Sequence, residues 1–424
     1  MLHIDITNTL ASTITPTKGI TDQEMKSIAT GLKKYIEDFL AEREQGEHTW
    51  SMAPYDKNMI DQVKETALRV KNEKIQTVIW IGIGGSGLGP KVIQEVFESP
   101  ETMEFILLDT LDPSILELTS HIVDWKQTLV VVASKSGGTL EPMSIFALCW
   151  SLLRKAIGDK AADRVIALTD PNKGNLRSFC LEHGISMLPI PSNIGGRYSI
   201  FTPIGLLSLA LLNGDIDAFA SGAKEMDTSC QSTDVDKNPA AQLARVQFLL
   251  DTKRENPLRI IMPYSQRLES LARWCQQLIA ESLGKTELHN PIPVAAIGTQ
   301  DQHSLLQQWM EGPRKSWHVF IKEEEQQYLA VPDCIEESFK YLIGKPYGKL
   351  LDACYRGTSQ ALTSVKRPNV TISLKKIDEQ HLGELFYLFM VEVILLGKLY
   401  RIDPYGQPGV ETGKKITKEI LGEQ

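Results

Sequence analysis

Ser134, Ser136 and Thr139 place three hydroxyls within six residues of "SKSGGTLEP" (Ser134 to Pro142), with Lys135 and two glycines among them and a helical pattern just beyond. Hydroxyl donors, free backbone N–H groups and the positive end of a helix dipole together suit a compact dianion such as a phosphate monoester. Each Ser or Thr at a helix start serves equally well as an ordinary cap. Three of them in six residues favour the anion.

A second loop, "WIGIGGSGLGP" (Trp80 to Pro90), carries Gly82, Gly84 and Gly87 at the G-x-G-x-x-G spacing of a dinucleotide fingerprint, and Asp109 follows where a ribose-binding acid belongs. Such glycines let a phosphate approach the backbone, and Ser86 adds a hydroxyl donor. A dinucleotide enzyme already seats its pyrophosphate on this first loop, so the second cradle at Ser134 is unexplained by that reading. Asp109 then reads as a turn or cap residue before "TLDPS". A third loop, "NIGGRY" (Asn193 to Tyr198), sets Arg197 after two glycines. A guanidinium there is suited to stabilising an oxyanion, or is simply solvated.

The elements that hold these loops are legible as alternation. "TVIWIGI", "EFILLD", "TLVVVAS", "RVIALTD" and "ISMLPIP" are short apolar runs separated by helical patterns near 89–98, 113–122, 141–157 and 173–183. Strands with little internal alternation, spaced by helices, predict a parallel sheet covered on both faces. A second set follows the polar stretch Thr228 to Lys237. It comprises helices near 239–253, 266–283, 303–311 and 379–399, with strands "LRIIMPYS", "PIPVAAIG", "WHVFIK", "YLAVP" and "NVTISLKK". "KEEEQQ" (322–327) reads as a solvated hairpin tip, and residues 21–46 as an N-terminal helix behind a Thr-x-x-Glu capping box. A turn-rich stretch and a terminal helix close the chain.

The expected fold is α/β, with two doubly wound parallel-sheet domains of three αβα layers and helical extensions at both ends. Its parts are an extension over 1–50, a phosphate-binding domain over 51–225, a second domain over 226–400, and a loop and helix over 401–424. A length of 424 residues agrees with more than one core.

The net charge of −8 argues against a nucleic-acid or anionic-membrane partner. Six scattered cysteines without a C-x-x-C pair suit a reducing compartment and no structural metal. The N-terminus lacks the pattern of a secretory signal, and the longest apolar stretches, 200–212 and 385–396, read as buried helices rather than membrane spans. The expectation is a cytoplasmic protein.

Six stretches, "IGIGGSGLGP", "SKSGGTLEP", "GGRYS", "ESLGK", "GTQDQHS" and "GQPGVETGK", stand in the order and at about the spacing of the glucose-6-phosphate isomerase family, which the chain resembles from about residue 80 to 414. The resemblance implies sugar-isomerase (SIS) domains, a homodimer with shared active sites, and interconversion of glucose 6-phosphate and fructose 6-phosphate without metal, nicotinamide or other cofactor. It implies phosphate contacts from Ser134, Ser136 and Thr139, assisted by Lys135, with Gly85, Ser86 and Gly196 also lining the substrate site. It further implies Glu281 as the base between C1 and C2, Gln277 lining the same pocket, and Arg197 as the enediolate stabiliser. His303, contributed by the neighbouring subunit, Lys414 and Gln407 are implied at ring opening. One departure stands out: Gly138 occupies a position where relatives usually carry Thr.

Structural alternatives accompany these roles. Glu281 can pair with Lys285, Lys414 with Glu411, and His303 can cap a helix or sit in the core. Three functional alternatives accompany them: a nicotinamide oxidoreductase, a non-catalytic sugar-phosphate sensor, and an isomerase of another phosphosugar such as mannose 6-phosphate.

Overall fold

The computed structural model describes residues 2–325, 328–333 and 336–422. Among these, ten strands occur: β1 (His3–Asp5), β2 (Thr77–Ile81), β3 (Glu104–Leu108), β4 (Thr128–Ala133), β5 (Val165–Thr169), β6 (Ser186–Pro189), β7 (Leu258–Pro263), β8 (Ile292–Ala295), β9 (Ser316–Glu323) and β10 (Asn369–Leu374). The chain divides into two compact units, residues 42–224, and residues 1–41 with 225–424.

The unit of residues 42–224 holds a five-stranded parallel sheet in the order β3-β2-β4-β5-β6. Every residue of β2, β4 and β5 is buried, as required of strands covered on both faces. Ile79, Val130, Val132 and Ala167 pack with Ile145, Cys149 and Leu153 of the helix Leu140–Ile157. Burial of each such aliphatic side chain contributes about 1.5–3 kcal/mol. The chain leaves β2 toward β3 and then crosses to β4 on the other side. That reversal puts the loops after β2 and β4, the two glycine-rich ones, at a topological switch point, where open α/β sheets hold ligands.

The other unit has the order β1-β10-β9-β7-β8, parallel except for β1 on its edge. The N-terminal extension therefore contributes an antiparallel strand as well as the predicted helix, which spans Asp22–Glu44. Its capping box is formed: Thr21 N donates to Glu24 Oε2 (2.8 Å), and Glu24 N donates to Thr21 Oγ1 (3.2 Å). The helix Glu379–Tyr400 is buried on nearly every side, with Trp274 edge-on to Phe386 at 4.6 Å. In the same unit the Arg259 guanidinium and the Glu392 carboxylate, both fully buried, make a two-pronged pair at 2.6 and 3.0 Å.

Two sequence expectations fail here. "YLAVP" forms no strand and makes one isolated bridge, Ala330 to Pro346; β9 pairs in parallel with β10, so among the described residues β9 lacks the hairpin partner expected after "KEEEQQ". Gln326 and Gln327 of that stretch, and Cys334, lie outside the described residues. A parallel pair requires a crossover, and the helix Tyr347–Ser364 supplies it. The two apolar stretches are buried helices as read. Among the described residues, no helix is long and apolar enough to cross a membrane.

Candidate active site

Ser134 begins the loop after β4. Its N–H donates to Leu168 O on β5, and its own carbonyl accepts from Thr169 Oγ1 at 2.8 Å. Its hydroxyl is buried yet makes no hydrogen bond within the protein. Leaving such a group unpaired costs about 1–3 kcal/mol, which fits a donor meant for a ligand. Thr139 occupies the N-cap of the 18-residue helix Leu140–Ile157 without capping it. Its hydroxyl lies 3.2 Å from Ser136 Oγ instead. The ordinary-cap reading of Thr139 is thus excluded, and the hydroxyls stand beside the positive end of a long helix. Gly137 needs its positive φ of 63°, whereas at Gly138 an added Cβ would meet open space.

Lys135 does not act as a free cation here. Its Nζ donates to Ile194 O at 2.9 Å and so ties the cradle to the "NIGGRY" loop, and burial lowers its pKa from the ordinary lysine value. Asp170, at the end of β5, is a residue that sequence reading passed over. Its carboxylate accepts from Asn172 N, Lys173 N and Ser192 Oγ, and these hydrogen bonds hold its pKa below the usual carboxylate range. Its backbone N–H also reaches Lys135 O. The available signal was an acid immediately after an apolar strand, "VIALTD".

In the glycine loop, Gly84 has φ 57° and precedes the helix Gly85–Phe97. Trp80 Nε1 donates to Ser86 O at 3.0 Å and pins the turn, leaving the Ser86 side chain half-buried. Gly85 lies so close to the backbone of Gly196 and Arg197 that a Cβ would overlap it. The glycines therefore pack two loops together as well as exposing backbone. Asp109 does not cap the next helix; Asp112 does, accepting from Ser114 N at 3.0 Å. Arg197 is buried in a short 3₁₀ turn with its guanidinium 5.3 Å from the Tyr198 ring, and Tyr198 stacks on Trp50.

In the other unit, Gln277 and Glu281 share one face of the helix Glu269–Leu283, and Gln277 Nε2 donates to Glu281 Oε1 at 2.7 Å. Lys285, the alternative partner of Glu281, donates to the carbonyls of Asp403 and Tyr405 and thereby holds the loop that leads to Gln407. Gln407 precedes a 3₁₀ turn and the helix Glu411–Ile420. Lys414 forms the exposed pair with Glu411 at 2.8 Å that the sequence offered as the alternative. His303 is exposed, which excludes a core role. Thus the fold brings together Ser136 with Thr139, Gly85 with Gly196, and Gln277 with Glu281. It leaves His303 and Lys414 on the surface.

Comparison with known proteins bears on this arrangement. The chain matches the phosphoglucose isomerase family over residues 48–335 and 348–424. It is 33% identical over 418 residues to a glucose-6-phosphate isomerase of Rubrobacter xylanophilus, covering 95% of each chain. It is 32% identical over 403 residues to one of Carboxydothermus hydrogenoformans, covering 90% of this chain and 86% of that one. In fold it is similar to the hypothetical protein TT0462 of Thermus thermophilus, with TM-score 0.91 and 29% identity over 99% of this chain and 100% of the other. A glucose-6-phosphate isomerase structure from Chlamydia trachomatis shares the fold at TM-score 0.81 and 22% identity, over 96% of this chain and 87% of that one. With a match spanning β2 to β10 and all three glycine-rich loops, the chain belongs to the phosphoglucose isomerase family.

Proposed function

We propose that this enzyme reversibly isomerises glucose 6-phosphate and fructose 6-phosphate through ring opening and an enediolate, the step shared by glycolysis and gluconeogenesis. Aldose–ketose conversion must open a hemiacetal, remove a weakly acidic proton beside a carbonyl, hold the enediolate and return the proton to the neighbouring carbon. The Gln277–Glu281 couple carries the reading most directly: a carboxylate held by an amide at 2.7 Å is a base fixed in direction. Glu281 moves the proton between C1 and C2, and Gln277 holds it.

Arg197 stabilises the enediolate, for which loss of a preorganised cation or donor costs about 2.7–4 kcal/mol. Ser134, Ser136 and Thr139 bind the phosphate, with Gly85, Ser86 and Gly196 lining the substrate site and Lys135 holding the loops in register. Binding energy at the phosphate orients the reacting carbons. His303 and Lys414 open the ring beside Gln407, since an imidazole exchanges protons near neutral pH.

In domain terms, 51–225 binds phosphate, 226–400 carries the base and His303, and 401–424 carries Lys414. The enzyme acts as a homodimer in which His303 serves the neighbouring subunit; its exposure supports this, because a donated residue must lie on the surface. Cys149, Cys180, Cys230, Cys275 and Cys354 are unbridged, which supports a cytoplasmic location.

The test is a coupled assay on fructose 6-phosphate with no metal or nicotinamide added to the isomerase itself, comparing wild type with Glu281→Gln. Wild type should turn over and the variant should lose about 10²–10⁴-fold in kcat. An inactive wild type, or full turnover by Glu281→Gln, overturns the reading.

A further inference from the structure

At the amino-terminal ends of β7, β9 and β10, opposite the ends that bear the glycine-type loops of such sheets, lies a cavity of about 30 Å³ lined by Lys18, Arg254, Asn256, Arg314, Ser316, Lys366, Arg367 and Pro368. Five of these eight residues are cationic and none is acidic. Such a concentration runs against a chain whose net charge is −8.

The cations are only partly compensated. Arg254 pairs with Glu24 at 2.6 Å. Arg314 Nη1 donates to Val365 O, and the Arg367 guanidinium reaches the carbonyls of Pro313, Gly312 and Met310, all neutral acceptors. Arg367 is 2% exposed, and its Nε makes no hydrogen bond. Its pKa lies below the ordinary arginine value, first through burial and then through repulsion from Arg314. The exposed Arg314 and the buried Arg367 thus repel each other at one cavity whose lining carries no acid. An oxyanion relieves both the repulsion and the unpaired donor.

Lys366 adds an independent sign. It follows the helix Tyr347–Ser364 with φ 65°, a left-handed conformation for which glycine is the usual residue. A lysine there carries a backbone cost that glycine would not, at a position that lines the cavity.

We infer that this cavity is a second anion site, specific for a phosphoryl group, that is separate from the hydroxyl cradle of the other unit. At about 30 Å³ the cavity has room for roughly one water-sized group, so it seats an oxygen of a phosphoryl group and leaves the rest of that group at its mouth in solvent. None of the proposed catalytic residues lines it. The bound species is therefore free phosphate or the phosphate end of a small metabolite, read here by guanidinium and ammonium groups rather than by hydroxyls.

The test is calorimetric titration of the full-length protein with inorganic phosphate, in wild type, Lys366→Gly, Arg314→Gln and Thr139→Ala. Wild type should show two classes of site per chain. Lys366→Gly and Arg314→Gln should each weaken one class about tenfold, the loss expected for one charged hydrogen bond, and leave turnover unchanged. Lys366→Gly should also keep or raise the melting temperature measured without phosphate, because glycine accepts this backbone conformation, so weakened binding cannot be assigned to unfolding. Thr139→Ala should affect only the other class. Titrating glucose 6-phosphate into phosphate-loaded Thr139→Ala then separates the two sources: displacement at the arginine site identifies a phosphate monoester, and its absence identifies free phosphate. A single class of site in wild type, or identical phosphate isotherms for wild type, Lys366→Gly and Arg314→Gln, overturns the inference.

Discussion

The Gln277 amide donates to one oxygen of the Glu281 carboxylate, 2.7 Å away and one helical turn along. Removing the amide while keeping the bulk, as in Gln277→Leu, should lower kcat by about 10–100-fold, the worth of a hydrogen bond to a charged group, with a smaller change in KM. Steady-state kinetics separates this from a packing defect, which a parallel melting curve would expose. An effect confined to KM would count against the positioning role.

Ser134 and Thr139 make a paired prediction about binding. Ser134→Ala deletes a buried hydroxyl that has no partner in the protein, so folding stability should hold or rise slightly while KM for phosphorylated sugars climbs. Thr139→Ala removes the contact to Ser136 and should raise KM by about tenfold or more. Unchanged KM in both variants would remove the loop from the substrate site.

Gly138 offers the opposite change. Its Cβ direction is open and its φ is not positive, so Gly138→Thr adds a further hydroxyl to the loop without strain. The expected outcome is a lower KM at unchanged melting temperature. Gly85→Ala should do the reverse, because its methyl group overlaps the backbone of Gly196 and Arg197. A loss of about 1–3 kcal/mol in denaturant unfolding, together with lower kcat/KM, is the expected signature.

His318 predicts the acid limit of stability. It lies fully buried on β9 against Trp309 at 4.7 Å, neither ring nitrogen has a hydrogen-bond partner, and burial pushes its pKa down to about 3, with Arg367 adding to the effect. The folded-state pKa is thus below the unfolded value of about 6.5, so between pH 6.5 and 3 the unfolded chain binds the extra proton. Stability attributable to this group is intact above pH 6.5 and falls by about 1.4 kcal/mol per pH unit below it, reaching about 2 kcal/mol at pH 5. Urea unfolding from pH 7 to pH 5 should show this loss in wild type, and a shallower one in His318→Phe. Parallel curves would exclude His318 as the cause.

Much of the fold was legible because apolar runs and helical stretches alternate cleanly from Thr77 to His183. The helix read near 113–122 spans Pro113–Ile122. The region after β9 was misread because two apolar runs separated by charges look alike as a hairpin or as parts of a crossover. The chemistry of the site was legible as residue types: hydroxyls, glycines, an arginine and a carboxylate at set spacings.

The sequence by itself determined the family and the parallel-sheet class, because these depend on residue order and on periodicity along the chain. Tertiary structure decided what each group does with its hydrogen bonds. It tied Lys135 Nζ to Ile194 O, packed Gly85 against Gly196, and made Asp112 rather than Asp109 the cap. It also gathered Lys18, Arg254, Arg314, Lys366 and Arg367 around one cavity although they span almost the whole chain. Such partnerships rest on distances between residues remote in sequence, and only the packing of the chain sets those distances.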